Sequence, residues 1–180
     1  AGAWNNSELQ WVEIILGQAY NVNQIQSIVI YNRPRSDLYH RMIGCAIELK
    51  DTNDNVLYRS KVIIEGKAYY RYDNDWYSLS SPLPLKSQPS TNKIVNLPDD
   101  TEYLTTPEVK YVRFLNNETV NSYGISMNRK QVTELQIWIN GENKAIGCDV
   151  NTGSQDIVNN NYFASNINDN DFGTFWRTSG

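Results

Sequence analysis

The sequence predicts an all-β protein, an antiparallel jelly-roll sandwich, and three observations carry that prediction. Short runs rich in Val, Ile, Tyr and Trp recur along its 180 residues. Gly, Asn, Asp and Pro separate them, and no segment sustains a helical period over three turns. Two of the runs alternate apolar and polar residues, as strands do when one face is buried and the other wet.

The runs follow in order. Residues 11–16 (WVEIIL) end in a Leu16-Gly17 turn, and residues 25–31 (IQSIVIY) form the next strand. Residues 45–49 (CAIEL) and 56–64 (VLYRSKVII) come after a polar loop. The clear alternation is in 110–115 (KYVRFL) and 133–139 (TELQIWI). Between these groups, residues 78–107 carry every proline except Pro34. Proline removes a ladder donor and fixes φ, so this is a long surface excursion: a specificity loop or a solvated insertion without a role. Past residue 139 the chain turns at Asn140-Gly141 and enters an Asn-rich, weakly patterned connection reaching residue 161.

Composition bounds the function. Hydrophobic residues are 40% and charged residues 20%, enough for one ordinary core. A net charge of −4 with scattered Lys and Arg argues against a nucleic-acid surface. No apolar run approaches the ~20 residues of a membrane span. Cys45 and Cys148 are too few for a disulfide scaffold or a Cys metal site, and either pair or remain buried thiols. The chain does not start with Met, and is expected to be a processed product or part of something longer.

Several pieces together resemble a known family. Trp11, Leu16-Gly17, Tyr31-Asn32-Arg33 and the Arg41-Met42-Ile43-Gly44 turn are similar to the opening half of the discoidin, or coagulation-factor 5/8 type C, domain. KYVRFL and VTELQIWI look like its closing pair of strands. Residues 164–178 (ASNINDNDFGTFWRT) look like its early Ala-x-Asp-x-x-x-x-Thr-x-Trp loop, here placed last. The resemblance implies an eight-stranded jelly-roll sandwich in cyclically permuted order. Residues 1–144 would be the main body, with 78–107 inserted. Residues 145–180 would be the opening segment, either completing the same domain or starting the next repeat.

Two loops could carry chemistry. The acidic loop 166–171 (NINDND) offers closely spaced hard oxygen donors, which suit calcium but do not follow EF-hand spacing; the alternative is a self-satisfied Asp/Asn turn. The calcium-binding lectin branch of the family implies a structural Ca2+ held by Asn166, Asp169, Asp171, Thr174 or Ser179, and Glu134 from the last strand. The loop 33–41 (RPRSDLYHR) supplies Arg33, Arg35, Asp37, His40 and Arg41, which could bond sugar hydroxyls or brace the loop as an Arg–Asp pair. Arg35, Asp37 and Arg41 approximate the pattern of fucose-binding members. The last spacing is one residue short, and the family's half-cystine pair and upstream His are absent, so fucose specificity does not carry over. Trp4 and Trp76, with Tyr77, could stack on a sugar face; the run around Trp76 (YYRYDNDWYSL) is equally typical of an edge strand. Trp11, Trp138 and Trp176 are expected to be core or structural.

Catalysis finds little support. There is one histidine, no nucleophile-elbow pattern around a serine, and paired carboxylates only in turn-like contexts. The expected function is a non-catalytic module, extracellular or surface-exposed (a virion surface included), that binds a glycan or glycoconjugate and repeats for avidity. The alternatives are a structural assembly module that contacts neighbouring copies or other structural proteins, and an accessory module attached to a hydrolase.

Overall fold

The computed structural model describes residues 10–73, 106–116, 130–153 and 162–178. Its strands are β1 (Trp11–Asn21), β2 (Ile25–Asn32), β3 (Cys45–Lys50), β4 (Val56–Arg59), β5 (Tyr69–Asp73), β6 (Glu108–Asn116), β7 (Gln131–Ile139), β8 (Glu142–Asn143), β9 (Asp149–Thr152) and β10 (Trp176–Arg177). They form two antiparallel sheets, ordered β4-β3-β6-β1-β9 and β10-β7-β2-β5, with β8 as a hairpin partner of β7. The protein is an all-β sandwich. The Pro-rich segment lies outside the described residues apart from its last two positions.

Period-2 alternation explains how the sheets close on each other. Val12, Ile14 and Leu16 of β1, Ile47 and Leu49 of β3, and Val112 and Phe114 of β6 turn inward from the first sheet. They meet Ile28 and Ile30 of β2 and Leu135, Ile137 and Ile139 of β7, all essentially fully buried. Asn140 and Gly141 both take positive φ, which closes the tight β7–β8 hairpin. The expected turn at Leu16-Gly17 is instead a bulge: β1 continues to Asn21, and its pairing with β6 shifts register between Ile15 and Tyr20. Residues 56–64 form a strand only as far as Arg59. Beyond it, single bonds from Ser60 N to Ile47 O and from Ile63 N to Cys45 O keep the chain beside β3.

β9, which pairs with the start of β1, escapes the sequence pattern. β5, the start of the polar-aromatic run 69–79, pairs with β2 as an edge strand. Residues 162–178 also join the body: Trp176 of β10 pairs with Val132 of β7 and is fully buried with Ala164 and Ile167 in the common core. Trp11 and Trp138 differ from Trp176 in being only half-buried. The Trp11 ring lies under the Arg113 guanidinium, 4.2 Å away, and the Trp138 indole N–H donates to Gln136.

The outer face of the first sheet carries a charge ladder. Glu13, Arg113, Glu48 and Arg59 stand opposite one another across four strands. Arg113 bonds Glu13 at 2.8 Å and Arg59 bonds Glu48 at 2.7 Å. Lys50, almost fully buried, joins from the next row through Glu13 and Asp54.

Candidate functional site

The end of β2 organises one end of the sandwich. The buried Asn32 side chain donates to Tyr39 O at 3.2 Å and Lys67 O at 3.1 Å, and accepts from Arg33 N at 2.9 Å. One amide therefore ties β2 to the 33–41 loop and to the turn before β5. That loop is largely the 3₁₀ turn Ser36–Met42, anchored by the buried Met42. Gly44 beyond it takes φ +86°, a backbone geometry glycine adopts freely.

The predicted ligand residues of this loop divide into two kinds. Arg35 grips Asp37 with two parallel bonds, 3.2 and 2.6 Å, and both side chains are exposed. The hydrogen bond from Arg35 holds the Asp37 carboxyl below its ordinary range. Arg33 stands apart. Its guanidinium stacks 4.5 Å from the Phe175 ring, and none of its side-chain N–H groups has a partner among the described residues. His40 and Arg41 are half-buried at the end of the 3₁₀ turn.

The acidic loop folds on itself above β7. Asp169 accepts from Asp171 N at 2.9 Å and from the Thr174 hydroxyl at 2.8 Å, while Asp171 accepts from Gly173 N at 2.7 Å. Asn166 donates to Phe175 O. The buried Asn168 side chain reaches Ala145 O and Cys148 O at 2.7 and 2.9 Å, which fastens the loop to the β8–β9 connection.

Beneath the loop, Glu134 faces outward from β7 and is nonetheless 0% exposed. Neither carboxylate oxygen has a hydrogen-bond partner. Burial, then the charge of Asp169, and lastly that of Asp171, push this carboxyl up to about 8; the Asn170 backbone N–H opposes the shift without completing a hydrogen bond. An orphaned buried carboxylate beside two further carboxylates is what a hard cation would relieve. Among the described residues no three His, Cys, Asp or Glu side chains converge at ligand distance. Any such cation would therefore draw its remaining donors from the Thr174 hydroxyl and from backbone carbonyls such as that of Asn166.

The two loops meet through aromatic side chains. Tyr31 lies between Glu134 and Tyr69 in strand register. Its ring is 4.9 Å edge-on from Phe172, at the tip of the acidic loop, and 5.9 Å from Tyr69. Phe172 is 47% and Tyr69 56% exposed. Arg33, Phe175, Tyr162 and Arg177 also stack in succession at 4.5, 4.7 and 3.9 Å. The sequence reading missed these aromatics and Asn32. The available signal was two phenylalanines in an otherwise acidic, Asn-rich loop. Trp4, Trp76 and Ser179 lie outside the described residues.

No family model matches the sequence, and no curated protein matches it. One solved structure is similar, a Streptococcus pneumoniae fucose binding module, SpX-3, at 17% identity and a TM-score of 0.40. The match covers 71% of this chain, and the chain spans 64% of that structure's length. The sandwich itself rests on the strand pairings above.

Proposed function

We propose that this chain is a non-catalytic carbohydrate-binding module that engages a glycan at the end of the sandwich where its two loops meet. The observation that carries this reading is Arg33, a guanidinium stacked on Phe175 with no partner for its N–H donors among the described residues, on the same pair of loops as the exposed ring of Phe172, which joins Tyr69 through Tyr31. Sugars present hydroxyls for such a fork and an apolar face for such rings. The Arg35–Asp37 pair, His40 and Arg41 complete the polar rim. The similarity to a fucose binding module is in keeping with the reading and does not specify the sugar here.

The account includes a structural Ca2+ bound by Glu134, Asp169, Asp171, Thr174 and the Asn166 carbonyl. Its part is to neutralise the buried carboxylate and to fix the loop that carries Phe172. Residues 145–180 complete the same domain in permuted order, as the pairing of β9 with β1 and of β10 with β7 favours. The setting is extracellular or surface-exposed, where such modules act in repeated copies. A glycan-array screen in calcium and again in excess chelator tests this. Binding to a defined sugar in calcium, weakened by chelator, is expected. Silence in both conditions would remove the reading and favour an assembly module.

A further inference from the structure

A cleft of about 690 Å³ opens beside β5, where the chain crosses from the β4 edge of one sheet to the β5 edge of the other. Its size is within the ~300–1,000 Å³ range of small-ligand sites. Lys61, Ile64, Lys67, Tyr69, Arg71 and Tyr72 line it. Three properties bear on what it would hold.

The first is continuity. Tyr69 lines the cleft and also ends the row that runs from the acidic loop through Phe172 and Tyr31. Ile64, 83% exposed, also lines the cleft. Tyr69 is thus shared between the cleft and the aromatic row.

The second is charge. Lys67 pairs with Glu65 at 3.0 Å and Arg71 with Asp73 at 2.6 Å. Each pair sets donors and acceptors side by side, and Lys61 adds a further donor to the lining. That matches vicinal hydroxyls, which both donate and accept.

The third is rigidity. The Tyr70 hydroxyl donates to Glu65 O and accepts from Lys67 N, both at 2.8 Å, while Asn32 holds Lys67 O. Gly66 passes so close to the 3₁₀ turn that a Cβ there would lie 2.7 Å from His40 N. The wall between cleft and end surface is therefore preformed, which lowers the ordering cost of binding.

We infer that the cleft beside β5 is a second subsite, and that the ligand is an oligosaccharide running from Arg33 and Phe172 across Tyr69 into it. This rests on the glycan-binding reading above. The test uses the full chain in calcium and an array that prints each terminal sugar as a monosaccharide and at the end of a tetrasaccharide. The best-bound pair is then titrated into the wild type, Ile64→Ala, Arg71→Ala and Arg33→Ala. Residues 64 and 71 are exposed, and unchanged melting of their variants checks that they fold. Ile64→Ala and Arg71→Ala should weaken the tetrasaccharide about fivefold to tenfold and change the monosaccharide by less than about twofold. Equal affinity for the two sugars, or a tetrasaccharide lost in Arg33→Ala yet indifferent to residues 64 and 71, would overturn the subsite and leave the end surface standing. No binding to any printed glycan would overturn both.

Discussion

Asn32 shows how much one side chain can decide. Its three hydrogen bonds hold β2, the 33–41 loop and the turn before β5 in one arrangement. At roughly 1 kcal/mol each for partly buried bonds, Asn32→Ala should cost about 3 kcal/mol in denaturant unfolding, whereas Arg33→Ala should cost little. Glu134 makes a second prediction. Its carboxyl rises from an ordinary 4.5 to about 8 in the folded chain. Between those values the folded state keeps a proton that the unfolded state releases. Stability in chelator should therefore fall as pH rises through that window and level off above it. Calcium should cancel the fall by taking the proton's place, and Glu134→Gln should melt independently of both calcium and this titration. A wild-type melting midpoint flat across the window in chelator would contradict the assignment. Glu134 was named from the sequence only through a family resemblance, because nothing in VTELQIW says which strand residues another loop will cover.

At the scale of elements, the strands with the strongest apolar alternation, β6 and β7, are where the pattern put them. β1, β2 and β3 start where expected and run longer. β9 was not legible, and β5 was legible only as a polar-aromatic run that suits an edge strand and a sugar platform alike. YYRYD and DVNT are too polar and too short for a period-2 signal, and long-range pairing with β2 and β1 makes them strands. The bulge in β1 was hidden for a related reason: a Leu-Gly pair reads alike in a turn and in a bulge. The 33–41 loop was legible as a polar loop, while its Arg35–Asp37 brace and its contact with residues 65–67 were not. That contact predicts that Gly66→Ala, with no room for a methyl against Tyr39 and His40, destabilises by about 1–3 kcal/mol. Chemical-shift changes should concentrate in residues 33–41 rather than in β9. The ladder across β1, β6, β3 and β4 makes a further prediction. Lys50→Ala leaves the buried Glu13 with Arg113 in place of two cations, and should cost about 1–3 kcal/mol, measured by denaturant unfolding.

For the molecule as a whole, the last described segment belongs to the core. Trp176 and Ile167 are fully buried among residues of β2 and β7, so Trp176→Ala should cost about 3–5 kcal/mol by the same unfolding measurement. A segment that began a separate repeat would leave the body nearly unchanged. The same packing delivers the acidic loop to β7, and through Phe172 and Phe175 it builds the surface proposed to bind glycan. The most direct measurement of that claim is calorimetric titration of one array-identified glycan, in calcium, into the wild type, Arg33→Ala and Arg35→Ala. Arg33→Ala is expected to abolish detectable binding, because its fork has no partner among the described residues, while Arg35→Ala, whose side chain is already paired with Asp37, retains most of it. Undiminished binding in Arg33→Ala, or loss in Arg35→Ala alone, would contradict it.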